Sequence, residues 1–176
     1  MTEHLLFMSF ISSIKTLLTL GRGVTGGLPD ATEDTDPINL FRVWFEAAKK
    51  SGILLPEAMS LATATPDGRP SVRMVLLKDA DLHGFTFYTN YGSQKASEID
   101  RNPHAALCFH WPILQRQVRI SGKVERVPED ESRDYFLTRS RASQLGAWAS
   151  KQSKNLSDRA ELETRVRTYS EEFSGD

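Results

Sequence analysis

Five short segments typical of β-strands, separated by turn residues, occupy the middle of this 176-residue chain. The predicted strands are Ala58–Thr65, Ser71–Leu77, Phe85–Thr89, Ala105–Trp111 and Gln117–Val127. Turn segments over residues 66–70 and 79–84 join the first three strands. Because strands this short follow one another with few crossover helices between them, the pattern favours an antiparallel barrel over a parallel sheet.

Helical periodicity flanks these strands on both sides. A first helix is predicted to begin at Asp36, an N-cap residue followed by proline, and to end at Gly52. The other predicted helices are Ser93–Asn102, Pro128–Arg139, Ser143–Ser150 and Ser157–Phe173. The predicted fold class is therefore mainly β with flanking helices.

The first 35 residues differ from the rest. We predict residues 1–35 to be an N-terminal arm and linker, and residues 36–176 to be the single domain. Apolar residues recur at helical spacing between Phe7 and Leu18, but Lys15 interrupts the run, which is too short to span a bilayer. A floppy or docked arm is one interpretation and a cleavable targeting segment is the other; the scarcity of basic residues favours the arm. The predicted location is cytoplasmic, with a mitochondrial location as the alternative.

The amino-acid composition excludes several classes of function. The net charge is −1, from 22 basic and 23 acidic residues, so no overall field draws the chain to nucleic acid or to an anionic membrane. The single cysteine, Cys108, excludes an intrachain disulfide and a multi-cysteine metal site. The sequence contains no glycine-rich nucleotide motif and no histidine pair at metal-ligand spacing. An anion site must therefore be local, and no metal site is predicted.

Two stretches carry residues suited to a phosphate. Arg73 and Lys78 lie five positions apart in one strand segment, where alternation places them on opposite faces. Downstream, Ser93 and Lys95 open a helix whose first N–H groups are partly positive, close in sequence to the Thr89 hydroxyl. Each stretch has a plainer interpretation: a half-buried strand with solvated ends, and a serine N-cap followed by a solvated lysine.

A second candidate anion site lies in the helical part. Tyr135, Arg139 and Ser143 fall at i, i+4 and i+8, so they form one stripe if the helix is continuous. Such a stripe suits a second phosphate, although a solvent-facing polar stripe is the commoner outcome. Gln117 and Arg119 lie two positions apart and share one face of a predicted strand.

Several blocks of the chain, in this order and spacing, resemble the pyridoxine (pyridoxamine) 5′-phosphate oxidase family. The blocks are Ser71–Lys78, Phe87–Asn90, Arg116–Arg119 and Ser143–Ser153. The resemblance covers the chain from Asp36 to about Tyr169. It implies an antiparallel split β-barrel that forms a homodimer and holds FMN at the subunit interface. It also implies oxidation of pyridoxamine or pyridoxine 5′-phosphate by O2 to pyridoxal 5′-phosphate, a reaction of vitamin B6 metabolism.

The resemblance also implies a role for particular residues. It assigns to FMN the residues Arg73, Met74, Val75, Leu76, Leu77, Lys78, Tyr88, Thr89, Lys95, Gln117, Gln152 and Ser153. It assigns to the substrate the residues Lys78, Tyr135, Arg139 and Ser143. The flavin carries the chemistry in such an enzyme, so no catalytic side chain is expected.

The chain departs from the family pattern in three respects. Gln94 stands where the family has an arginine, which removes one bidentate phosphate contact. The segment Thr138–Ser140 lacks the family's proline, and the sequence as far as Asp176 does not contain the motifs of the family's C-terminal strands. These departures predict loosely held FMN and little or no oxidation by this polypeptide alone. The alternative function is a truncated, non-catalytic chain that binds FMN or pyridoxal phosphate and pairs with a full-length subunit.

Overall fold

The computed structural model describes residues 35–174. The helices are α1 (Pro37–Lys50), α2 (Gln94–Arg101), α3 (Glu129–Thr138), α4 (Arg141–Ala149) and α5 (Arg159–Glu172). The strands are β1 (Ala58–Ala64), β2 (Pro70–Leu76), β3 (Asp79–Asp81), β4 (Gly84–Thr86), β5 (His104–Trp111) and β6 (Arg116–Lys123). The predicted N-terminal arm lies almost entirely outside the described residues, so its proposed helix and targeting role stay predictions.

The strands form a four-stranded antiparallel sheet with the order β2-β1-β5-β6 and a separate two-stranded ladder of β3 and β4. The short connections between β1 and β2 and between β5 and β6 make each pair a hairpin. The antiparallel arrangement of the prediction is thus confirmed. Among residues 35–174, no helix is both long and apolar enough to cross a lipid bilayer.

The strand β3 corrects the prediction that residues 79–84 form only a turn. Asp79 pairs with Thr86 and Asp81 with Gly84, so the turn itself is restricted to the tip of the hairpin. There the Asp81 carboxylate accepts hydrogen bonds from the backbone N–H groups of His83 and Gly84. The pairing also shortens the predicted strand Phe85–Thr89, which ends at Thr86 in the structure.

The residue contacts divide the described chain into two compact units. The first unit contains residues 35–62, 72–87 and 106–121, and the second unit contains residues 63–71, 88–105 and 122–174. The first unit holds an aromatic core, in which Phe41 of α1 contacts Phe85 edge-on at 4.8 Å and Phe109 at 5.1 Å. The indole N–H of Trp111 is satisfied by the Pro56 carbonyl at 2.9 Å, so this large side chain is buried without an unpaired donor.

Local signals explain how α1 contributes to this core. The Asp36 carboxylate accepts a hydrogen bond from the Ile38 N–H and caps the helix, as predicted. Phe41 and Ala48, seven positions apart on this helix, are both buried. The chain leaves the helix through Gly52, whose φ of 86° lies in the left-handed region that glycine adopts at little cost.

Candidate functional site

The ammonium group of Lys95 lies at the N-terminus of α2 in the second unit and is buried. Lys95 is only 7% exposed. Its Nζ donates to Thr89 Oγ1 at 3.0 Å, Ser93 Oγ at 3.3 Å and Gln152 Oε1 at 2.8 Å. Ser93 is also the N-cap of α2 and accepts from the Ala96 N–H. A lysine at a helix N-terminus, where the first backbone N–H groups are partly positive, is an arrangement that suits a phosphate.

This cluster gathers predicted residues from two distant parts of the sequence. Thr89, Lys95 and Gln152 were each assigned to FMN by the family resemblance, and the structure brings their side chains within hydrogen-bond distance. Asn90 donates to the Ser150 carbonyl at 3.3 Å and ties the same two segments together. Ser153 follows with a φ of 66°, a left-handed conformation that redirects the chain after Gln152.

Glu98, three residues further along α2, forms a second buried polar cluster that the sequence did not reveal. Its carboxylate is 2% exposed and accepts from the hydroxyl groups of Thr63 and Ser71, the latter at 2.5 Å. Gln94, which replaces the family's arginine, donates to Glu98 Oε1 at 2.8 Å. The sequence of β1 holds one signal that could have predicted this cluster. Thr63 continues the buried face of that strand, and a buried hydroxyl group needs a hydrogen-bond partner.

The predicted stripe of Tyr135, Arg139 and Ser143 is wrong as a single helical face. Helix α3 ends at Thr138, and Arg139 adopts an extended conformation. Ser140 then caps a new helix by accepting from the Ser143 N–H at 3.3 Å. The N-capping serine stabilises a helix start at this point, so the continuous helix that the spacing required is interrupted.

Tyr135 meets Tyr88 instead. The two rings stack with centroids 3.8 Å apart and planes 5° from parallel. The Tyr88 hydroxyl donates to Glu131 Oε1 at 2.9 Å. A residue assigned to FMN and one assigned to the substrate are therefore in direct contact within the second unit.

The remaining predicted residues lie in the first unit. The burial of β2 alternates as expected: Arg73 and Val75 are half-buried, while Met74 and Leu76 are exposed. Arg73 Nη1 donates to the Leu61 carbonyl at 3.0 Å, which fixes the guanidinium against β1.

The last residues of the same segment lie beyond the strand. Leu77 is buried, and the exposed Lys78 donates its backbone N–H to the Thr86 carbonyl at 2.8 Å. Because β2 ends at Leu76, strand alternation does not decide which face Lys78 occupies. On β6, Gln117 and Arg119 are both exposed on one face, as predicted.

Another arginine of the second unit has its charge matched by a carboxylate. Arg126 Nη2 donates to both carboxylate oxygens of Asp100, at 2.8 and 3.0 Å, and the guanidinium lies over the Tyr91 ring. This hydrogen bond to Asp100, together with the negative charge of the carboxylate, raises the pKa of Arg126 above the ordinary value.

The described residues thus form an antiparallel sheet flanked by α-helices, with a buried lysine at the N-terminus of one of them. The chain belongs to the pyridoxamine 5′-phosphate oxidase family, whose model matches residues 45–172, so the resemblance found in the sequence is confirmed.

Two relatives named pyridoxine/pyridoxamine 5′-phosphate oxidase match almost the whole chain. The one from Psychromonas ingrahamii is 54% identical over 96% of this chain and 77% of its own length. The one from Colwellia psychrerythraea is 52% identical over 95% of this chain and 77% of its own length.

Two solved structures share the fold. PhzG from Burkholderia lata, in complex with tetrahydrophenazine-1-carboxylic acid, has a TM-score of 0.77 and 30% identity over 81% of this chain and 71% of its own. An FMN-binding protein from Nostoc punctiforme, related to pyridoxamine 5′-phosphate oxidase, has a TM-score of 0.58 over 74% of this chain and 72% of its own. At 20% identity this second structure supports the fold alone.

Proposed function

We propose that this chain is a pyridoxine/pyridoxamine 5′-phosphate oxidase that uses FMN. The reaction is inferred from family membership and from the names of the two relatives. The structural observation that carries the proposal is the buried Lys95 ammonium, which donates to Thr89, Ser93 and Gln152 at the start of α2. When bound, FMN supplies the oxidation by accepting a hydride from the substrate carbon and passing its electrons to O2.

The FMN phosphate is the group that fits the Lys95 cluster. Lys95 supplies a charge-assisted donor, and the hydroxyl groups of Thr89 and Ser93 can turn from Lys95 to donate to a phosphate oxygen. The first N–H groups of α2 add partial positive charge. Tyr88 and Ser153, next to these residues in sequence, complete the proposed FMN residues of the second unit.

In the first unit, the residues proposed for FMN are Arg73, Met74, Val75, Leu76, Leu77, Lys78 and Gln117. Their role rests on the family pattern, and the structure supports it in one respect. Arg73 is already oriented by its bond to the Leu61 carbonyl, so little side-chain entropy is lost when it binds an anion.

The proposed substrate residues are Lys78, Tyr135, Arg139 and Ser143. The break between α3 and α4 changes how three of them act. Arg139 immediately precedes the N-cap of α4, and Ser143 lies in the first turn of that helix. A substrate phosphate is therefore expected at the α4 N-terminus, with the Arg139 charge beside it.

The proposed homodimer uses the exposed face of β2, the terminal strand of the sheet. Val72, Met74 and Leu76 are 68%, 62% and 38% exposed and form one apolar stripe. Such a stripe is suited to burial against a second copy. We also propose that the sheet closes as the split barrel of the family. The cytoplasmic location stays a prediction.

The reaction is tested with the purified chain at saturating FMN and pyridoxamine 5′-phosphate. We expect FMN-dependent formation of pyridoxal 5′-phosphate and H2O2. The relative from Psychromonas ingrahamii serves as the positive control. Turnover by the relative, with none by the FMN-loaded chain, contradicts the proposal.

The cofactor site is tested by Lys95→Met. Loss of a charge-assisted contact should weaken FMN binding by about 1–3 kcal/mol, or roughly 5- to 150-fold. The matched control is Lys50→Met, because Lys50 is an exposed lysine at the end of α1. A fluorescence titration measures both affinities. Equal affinities for the two variants would exclude Lys95 from the FMN site.

The dimer is tested by Met74→Lys. A charge in the apolar stripe should convert the dimer to a monomer, because burial of an unpaired ammonium costs several kcal/mol. Val43→Lys is the control, since Val43 is 65% exposed but lies on α1. Sedimentation velocity distinguishes the states. If Met74→Lys remains a dimer, the interface does not include the apolar stripe of β2.

A further inference from the structure

We propose that Glu131 is a positioning residue for the substrate: it holds Tyr88 and through it Tyr135. This inference rests on the proposed function, in which Tyr135 contacts the substrate. Glu131 itself is exposed and has no role among the residues that the family resemblance assigns.

Glu131 and Tyr135 both contact Tyr88, and both lie on one face of α3. They lie four positions apart on that helix and therefore point the same way. Glu131 Oε1 accepts the Tyr88 hydroxyl proton at 2.9 Å, while the Tyr135 ring covers the Tyr88 ring at a centroid distance of 3.8 Å. An acceptor that carries full negative charge makes this hydrogen bond stronger than one between neutral groups.

Helix α3 lies at the surface of the second unit. It contains no buried residue, and its N-cap, Pro128, provides no side-chain hydrogen bond. At its other end, Gln144 of α4 donates to the carbonyl of Phe136 at 3.2 Å. The contacts with Tyr88 therefore contribute to fixing Tyr135.

Tyr88 also connects this helix to the proposed cofactor site. The next residue, Thr89, accepts from Lys95 at 3.0 Å through its side chain. That contact does not involve Glu131. Loss of the Glu131 carboxylate should therefore loosen Tyr135 and weaken substrate binding, while FMN affinity stays nearly constant.

The test uses the FMN-loaded enzyme with Glu131→Ala, Tyr88→Phe and the double variant. Each single change removes the same hydrogen bond, so each should raise KM for pyridoxamine 5′-phosphate about 5- to 10-fold. In Glu131→Ala, which changes no proposed FMN or substrate residue, the kcat and the FMN dissociation constant should change less than twofold. Because Glu131 and Tyr88 act through one hydrogen bond, the KM of the double variant should be no higher than that of either single variant.

Two further variants separate positioning from general structural damage. Glu131→Gln keeps an oxygen acceptor for Tyr88 and should recover most of the wild-type KM. Glu129→Ala removes another exposed carboxylate of α3 and should leave KM unchanged.

Binding of pyridoxal 5′-phosphate, followed by its absorbance, gives a second readout that does not require turnover. An unchanged KM and product affinity in Glu131→Ala overturns the inference, as do additive effects in the double variant or a parallel loss of FMN affinity. Absence of both turnover and product binding in the wild-type chain overturns the proposed function itself, and the inference with it.

Discussion

The two units of this protein bury different kinds of side chain. In the first unit, the fully buried residues are mostly apolar, and Phe41, Phe109 and Trp111 form a connected aromatic cluster. In the second unit, the buried residues include Lys95 and Glu98. Both are charged types that are rarely buried in proteins.

The two kinds of burial differ in their effect on stability. Burial of an aromatic side chain contributes favourable free energy directly, because apolar area leaves water. Burial of an ammonium or a carboxylate costs free energy unless partners surround it. In the second unit, the partners of Lys95 include hydroxyl and amide groups, and we propose that this cluster binds an anion.

The largest loss of stability is expected from a substitution in the apolar core of the first unit. Phe109→Ala should lower the free energy of unfolding by about 3–5 kcal/mol, because it leaves a cavity against Phe41 and Trp111. His110→Ala, at the exposed neighbouring position of β5, should change it by less than about 0.5 kcal/mol. Urea denaturation measures both. Similar losses for the two variants would contradict the proposed role of the aromatic cluster.

A smaller loss is expected from the polar cluster around Glu98. Glu98→Ala leaves the hydroxyl groups of Thr63 and Ser71 without their acceptor, which should cost about 2 kcal/mol. The control is Ser97→Ala, at an exposed position of the same helix, with less than about 0.5 kcal/mol expected. If thermal and urea unfolding show no loss for Glu98→Ala, the cluster does not stabilise the second unit.

The smallest effect on stability is expected for Lys95→Met, the variant that should lose FMN affinity. Replacement of a buried ammonium by an apolar side chain of similar length removes its desolvation cost together with its hydrogen bonds. The free energy of unfolding without FMN should therefore stay within about 1 kcal/mol of the wild-type value. Urea denaturation of the cofactor-free protein is the measurement. A loss comparable to that of Phe109→Ala would show that Lys95 is primarily structural.

The local features of the chain were readily predicted from sequence. Asp36 and Ser93 cap helices as expected, and the alternating burial of β2 follows the period of the strand. These features depend on neighbours a few residues away. The strand β3 was missed because three residues are too few to show a period, and it forms only by pairing with β4.

The candidate site was predicted only in part. The family blocks named Thr89, Lys95 and Gln152, but the contact between Lys95 and Gln152 joins residues 57 positions apart. The spacing of Tyr135, Arg139 and Ser143 suggested one helix, and the N-cap at Ser140 interrupts it. Neither Glu98 nor Glu131 was singled out, since an acidic residue on a helix is exposed and solvated in most proteins.

The sequence by itself determined the antiparallel arrangement of the longer strands, the helix boundaries to within two residues, and the family. These depend on periodicity, capping and recurring motifs, which are local properties of the chain. Only the tertiary structure decided which polar side chains are buried and what they contact. Lys95 meets Gln152, and Tyr88 lies between Glu131 and Tyr135, because chain folding brings distant segments together and removes their polar groups from water.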